Sequence, residues 1–165
     1  MSSRRGRFVA LDNVLDEAIS RSYREVEGRE GSLTLEEKRA IAEKIGIAAV
    51  KYALLSVEPI KTVTFAWDRV LNLESNSAPF INYAFTRTCG ILRKLPEQEV
   101  TPNLKLLTHP LEKEILCMII KFSEIFRKAA DQLTPDDLSN YANSLAEKFH
   151  QYDEKVRIIR TEDPA

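Results

Sequence analysis

Apolar positions recur every three to four residues along most of this chain, with polar residues between them. That period marks amphipathic helices, each burying one stripe. Leu11, Val14, Leu15, Ala18 and Ile19 predict a first helix, N-capped at Asp12 and running to about Val26, where Gly28 and Gly31 end it. Thr34 and Glu37 form a capping box, in which the hydroxyl and carboxylate each accept a bond from the other's backbone N–H. The helix they open carries Ile41, Ile45, Ala48, Ala49, Tyr52 and Leu55, with Gly46 as a candidate bend, and stops at Glu58-Pro59. Lys61-Thr62-Val63-Thr64-Phe65 is a β-type run, short and isolated, hence a single strand or an extended connector. A short helix over Asp68–Leu73 precedes Ser75-Asn76-Ser77-Ala78-Pro79, which starts a long helix to about Leu95, with Pro79 in its first turn.

Pro96 to Asn103 reads as a loop. Pro110 to Leu133 is helical, with Leu111, Ile115, Met118, Ile119, Phe122, Ile125, Phe126 and Ala129 inward and a candidate break near Ser123. Thr134-Pro135-Asp136-Asp137 combines a hydroxyl cap, Pro at N1 and acids in the first turn, where the helix dipole favours negative charge. Leu138, Tyr141, Ala142, Leu145, Phe149 and Tyr152 line the inner face of the helix that follows, and the chain turns polar from Arg157. The predicted fold is all-α: a helical bundle of about five or six helices with one short extended segment.

On a helical wheel, Phe80, Ile81, Ala84, Phe85, Ile91, Leu92 and Leu95 share a broad arc of the Pro79–Leu95 helix, its expected core face. Tyr83, Arg87, Gly90 and Lys94 gather in a separate narrow arc. An aromatic ring can stack on a base and cations can meet phosphates. Gly90, without a side chain, would let a neighbour approach closely. The plainer reading is a solvated edge with Gly90 against another helix.

Composition narrows the functions. The chain has 165 residues, 44% of them hydrophobic, enough for one domain with a core. No run reaches the length of a membrane span, and the basic start, Met1 to Arg7, has no apolar signal core behind it. A cytoplasmic protein with no membrane contact is expected. Cys89 and Cys117 sit among apolar neighbours and read as buried free thiols. The net charge of −1 excludes bulk attraction to a polyanion. The charge is uneven, however. Residues 61–95 hold Lys61, Arg69, Arg87, Arg93 and Lys94 against only Asp68 and Glu74. A contact with nucleic acid should therefore centre there.

Signs of catalysis are missing. His109 stands at a helix start and His150 beside Phe149, neither with partners spaced as in a triad or metal site, and no Gly-rich phosphate loop occurs. Such a bundle reads as a binding module with no catalytic residue and no metal site.

A longer pattern gives this direction. Phe65-Ala66-Trp67-Asp68, then Asn76-Ser77-Ala78-Pro79, then Tyr83-Ala84-Phe85-Thr86-Arg87, closing on Leu92-Arg93-Lys94, resembles without a gap the characteristic stretch of arginyl-tRNA synthetases. Ile47 to Pro59 and Ala146 to Asp153 are similar to that family's flanking helices. Met1-Ser2-Ser3-Arg4-Arg5-Gly6 resembles its KMSKS-type loop, so Met1, Ser2, Ser3 and Arg4 match residues that serve ATP in the full-length family. The resemblance implies a C-terminal, DALR-type anticodon-binding domain, truncated at both ends. Residues 1–10 would be a mobile loop remnant and 11–165 the helical domain. The Rossmann domain and its HIGH-type motif do not occur in this sequence. The chain alone is therefore expected to be inactive and to need no cofactor, ATP and Mg belonging to the full-length family. Phe85 stands where the family often has His or Tyr, which removes a polar contact. The family also usually continues with one more amphipathic helix, without which an apolar groove would be uncovered. The implied partner is tRNA(Arg), with a catalytic domain or a full-length synthetase as a second one. Expected RNA contacts are Tyr83 by stacking, Arg87 and Lys94 on the backbone, and Asn76 or Asn82 by polar bonds. Trp67, Asp68 and Arg69 would fix the turn into the long helix. The alternative is a non-catalytic protein–protein module that docks on a synthetase or self-associates.

Overall fold

The computed structural model of the chain describes residues 10–28, 33–95 and 103–156. Six α-helices follow one another: α1 Leu11–Glu27, α2 Leu35–Leu55, α3 Trp67–Val70, α4 Ala78–Lys94, α5 Pro110–Gln132 and α6 Pro135–Val156. A 3-10 turn, Leu104–Leu106, precedes α5. Among the described residues there is no strand, so the Lys61–Phe65 run is a connector. It has β-type side chains but no second strand to pair with, and a lone strand cannot satisfy its own backbone.

Helix starts follow local chemistry. The Thr34–Glu37 capping box is present in full. Ser77 caps α4 by accepting from the Phe80 N–H, with Pro79 in the first turn. His109 caps α5: its Nδ1 accepts from Leu111 N–H, and Glu112 accepts from the His109 N–H. The first helix departs from expectation. Its N-cap is Ala10, with no side-chain cap, and Asp12 lies inside the first turn, where its charge still suits the dipole. α5 shows no break at Ser123. It runs to Gln132 and is closed by Leu133 in a left-handed conformation, φ 54°.

Two hairpins, α1–α2 and α5–α6, flank α4. α2 packs on α1, α3, α4 and α6, and α6 bridges α4 and α5. Seven of the twelve buried apolar residues are alanines. The described core thus depends more on close helix approach than on large side chains. The reason is visible at Gly46. A Cβ there would lie 2.7 Å from Ile19 N and 2.8 Å from Ile19 Cα. The α1 backbone rests on the glycine, while Ala18, Ala42 and Ala49 are fully buried around it. The inner stripe of α2 is therefore Ala42, Gly46, Ala49 and Val50, and Leu55 is exposed.

The broad apolar arcs predicted for α4 and α5 are narrower in the fold. Phe80, Ala84 and Ile91 are buried, but Phe85 is 70% exposed and Leu92 and Leu95 are also open. On α5, Leu111 and Ala129 are buried, whereas Ile119, Phe122 and Phe126 are exposed. α5 is covered mainly by α6, so only one stripe of it is shielded. The same geometry explains the cysteines: Cys89 is half-buried and Cys117 exposed, not both buried.

Candidate nucleic-acid interface

The narrow edge of α4 meets α6 in a seam. Tyr83 and Arg87 are one helical turn apart on α4, and His150 and Asp153 are similarly placed on α6, so the two pairs face each other. The Tyr83 ring stacks on the His150 imidazole at 5.2 Å with 22° between planes. His150 is braced from below by Phe80 at 4.8 Å, itself packed with Ala84 and Ala146. Arg87 Nε donates to Asp153 Oδ2 at 2.7 Å, and this carboxylate raises the guanidinium above its ordinary value. Tyr83 and Arg87 are both more than half exposed although each is held from behind. Among the described residues, His150 Nε2 and Asp153 Oδ1 are buried without a hydrogen-bond partner.

Sequence reasoning placed Tyr83 and Arg87 on this edge but missed His150 and Asp153. The available signal was their spacing of three on α6, which brings them to one face.

The other expected contacts are distributed around this seam. Lys94 is exposed in the last turn of α4, about 16 Å along the axis from Tyr83 at 1.5 Å per residue. Asn82 is exposed on the neighbouring flank, where with Thr86 it borders a cavity shared with α1, α2 and α3. Asn76 has a scaffolding task. Its φ of 51° is a left-handed conformation that Asn tolerates. Its Oδ1 accepts from Tyr52 OH at 2.9 Å and its N–H donates to Asn143 Oδ1 at 2.9 Å. Asn76 thereby ties α2 and α6 to the start of α4, helped by Ser77 Oγ donating to the Asn72 carbonyl. Gly90 lies open, with nothing within 4 Å of a Cβ built on it, so the close approach expected there occurs instead at Gly46. Trp67 opens α3, and Phe65 meets its indole edge-on at 4.9 Å.

A second polar link fixes α6 against α5. Tyr152 OH donates to Glu112 Oε1 at 2.6 Å. Burial, then this bond, pushes the Tyr152 phenol up to about 12, and Tyr152 with the His109 backbone holds Glu112 below its ordinary range. His109 is thus spent on a helix cap. Among the described residues no group of three His, Cys, Asp or Glu could hold a metal ion. Met1, Ser2, Ser3 and Arg4, the residues matched to an ATP loop, lie outside the described residues, as does the 1–10 boundary apart from residue 10. The arrangement offers a flat ring, Tyr83, and one fixed cation, Arg87, which suits binding.

Residues 81–165, which take in nearly all of α4 and the whole of α5 and α6, match the family model for the DALR anticodon binding domain. The chain belongs to that family. Residues 1–67 match the catalytic-domain model of class I (R) tRNA synthetases. In this DALR-family chain the two matches meet around α3. The chain is 40% identical to an arginine–tRNA ligase of Ignicoccus hospitalis over 166 residues, covering 99% of the chain and 26% of that protein. It is 39% identical to the ligase of Haloarcula marismortui, covering 96% and 28%. In fold it is similar to Thermus thermophilus arginyl-tRNA synthetase, with a TM-score of 0.80, 28% identity, and 95% of the chain and 26% of that structure covered. It also shares the fold of the Plasmodium falciparum enzyme, with a TM-score of 0.73, 24% identity, and 94% and 28% covered. The chain thus spans about a quarter of the length of these relatives.

Proposed function

We propose that the α4–α6 edge binds the anticodon arm of tRNA(Arg), and that the chain serves arginyl-tRNA aminoacylation as the RNA-holding part of an arginine–tRNA ligase. The observation that carries this reading is the exposed Tyr83–Arg87 pair, braced from behind by His150 and Asp153. A braced ring loses little freedom when a loop base stacks on it, and an oriented guanidinium meets a phosphate at a fixed place. Arg87 and Lys94 hold the backbone, Tyr83 takes a base, Asn82 reads a polar edge, and Asn76 sets the angle at which α4 starts. ATP and Mg act in the catalytic domain of the full-length family, the second partner of this surface. The place of action is the cytoplasm; among the described residues no helix is long and apolar enough to cross a membrane.

The test is a salt-titrated filter-binding assay with tRNA(Arg) and an unrelated tRNA. The reading expects preference for tRNA(Arg), lost in the Tyr83→Ala, Arg87→Ala double variant. Equal affinity for both tRNAs, unchanged in that variant, would contradict it. One observation favours a second reading, a protein-docking or self-associating module: Ile119, Ile120, Phe122 and Phe126 lie exposed along α5. Sedimentation that depends on protein concentration, without tRNA preference, would support that reading instead.

A further inference from the structure

A cavity of 630 Å³ opens between α1, α2, α3 and the first turns of α4. Its volume lies within the roughly 300–1,000 Å³ of sites that take small organic groups. The floor includes Ser22, only 2% exposed, whose Oγ has no hydrogen-bond partner among the described residues. A buried hydroxyl left unpaired in the free protein calls for a partner from outside. The indole of Trp67 lines one wall, with the Arg21 guanidinium 4.9 Å from its ring centroid. Asn82 and Tyr83 of α4 complete the rim.

Charge identifies the class of occupant. Arg21 and Arg24 are offset at the lining by Glu25 and Asp68, and Arg21 is already bonded to Glu17 at 2.6 Å. A phosphate would find no net positive field here. A flat, uncharged ring with donors and acceptors on its edge would find an aromatic wall, a buried hydroxyl, an amide and a carboxylate. Those are the properties of a nucleobase, read by stacking and by its edge. Tyr83 borders this cavity and also stacks on His150 in the α4–α6 seam. The cavity therefore lies one residue's width from the surface assigned to RNA.

We infer that the cavity receives one unpaired base of the RNA that crosses α4, a neighbour of the nucleotide at Tyr83, with Ser22 and Asn82 bonding its edge and the base lying against the wall made by Arg21 on Trp67. This rests on the RNA-binding reading above. The site lies between the stretch matched to a catalytic domain and the one matched to the anticodon-binding domain.

Trp67 is the sole tryptophan of the chain, so its fluorescence reports on this cavity directly. The experiment titrates the whole chain with tRNA(Arg) and follows filter binding and Trp67 emission side by side. The expected result is quenching with the same midpoint as binding. Ser22→Val, which removes the hydroxyl and fills the floor, should cost about tenfold or more in affinity, the effect of one lost base contact, and abolish the quench. Arg24→Gln, an exposed change on the rim, should give a smaller loss in a protein of unchanged melting temperature. Binding with unaltered Trp67 emission, or wild-type affinity in both variants, overturns the cavity assignment and leaves the RNA-binding reading standing. Absence of tRNA binding overturns both. Saturable quenching by free mononucleotides, with tRNA binding unaffected by their presence, overturns the assignment in favour of a small-molecule site.

Discussion

The α1–α2 hairpin and the α4–α6 seam are built from opposite materials. Around Gly46 the hairpin uses glycine and alanine and brings two backbones into contact, its polar groups, Arg21 with Glu17 and the buried Ser22, lying on the side of the cavity. The seam uses Tyr83, His150, Arg87 and Asp153, holds these groups in pairs, and still leaves His150 Nε2 and Asp153 Oδ1 buried without partners among the described residues. Small residues at van der Waals distance give a rigid support, since interiors resist changes of even one methylene. Partly satisfied polar groups do little for stability and are found where something else is to be bound. The contrast separates what holds the bundle together from what it is for.

If that division holds, damage to the Gly46 contact should cost stability and damage to the seam should cost binding. The largest effect is expected at Gly46. Gly46→Val places methyl groups against the Ile19 backbone and should destabilise by about 3 kcal/mol, at the upper end for overpacking. Thermal denaturation followed by circular dichroism should show the midpoint falling by roughly 6–12 °C, with tRNA affinity of the folded protein unchanged at low temperature. An unshifted midpoint would mean that the helices do not meet there.

Tyr83→Ala should do the reverse. Losing one stacked base weakens binding by about tenfold or more, while the melting temperature stays near that of the parent because the ring is largely exposed. A strong loss of stability would instead make Tyr83 part of the core and blur the contrast.

Mild acid sharpens the comparison through Glu112. Its carboxylate accepts from Tyr152 and from the His109 backbone, and both hold it below its ordinary value of 4.5. A group depressed on folding adds stability that is present above its unfolded value and lost as pH falls through the folded one. Stability of the α5–α6 contact should thus be flat from neutral pH to about 4.5 and decline below it. Hydrogen exchange of α6 amides against pH reads this, and a Glu112→Gln variant should show a smaller decline.

The smallest effect on stability is expected at Asp153. In the ion pair with Arg87 the guanidinium is half-exposed while the Asp153 carboxylate is mostly buried, so solvent on the Arg87 side screens the pair and the neutral amide keeps the shape of the buried group. Asp153→Asn should leave the melting temperature almost unmoved. It should free Arg87 for any phosphate, so that affinity for unrelated tRNA rises and discrimination falls. Unchanged discrimination would show that the carboxylate does not aim the guanidinium.

These contrasts also explain what could be read in the residues beforehand. Thr34 with Glu37, Ser77 with Pro79 and Thr134 with Pro135 announce helix starts because capping is decided within three or four residues. The all-α class followed from such signals and from periodicity. The two glycines were not separable in this way. Gly46 and Gly90 each sit in a helical stretch, and only the position of α1 makes the first a contact and leaves the second open. Phe85 and Leu92 look like core on a wheel, because a wheel shows which side is apolar but not how wide the neighbouring helix is. The edge of Tyr83, Arg87 and Lys94 was legible as a stripe on one helix. Its other half was not, because Arg87 and Asp153 are 66 positions apart and meet only in the fold.

The central claim is that the braced edge of α4 selects tRNA(Arg) by shape and stacking more than by charge. The most direct measurement is the affinity for tRNA(Arg) and for an unrelated tRNA across a salt series. With Arg87 and Lys94 as the phosphate contacts on a single-stranded loop, the logarithmic slope should be about −1.4, at about −0.7 per contact. The preference for tRNA(Arg) should survive at high salt and vanish in the Tyr83→Ala, Arg87→Ala variant. A steep slope with equal affinity for both tRNAs, indifferent to that variant, would contradict the account.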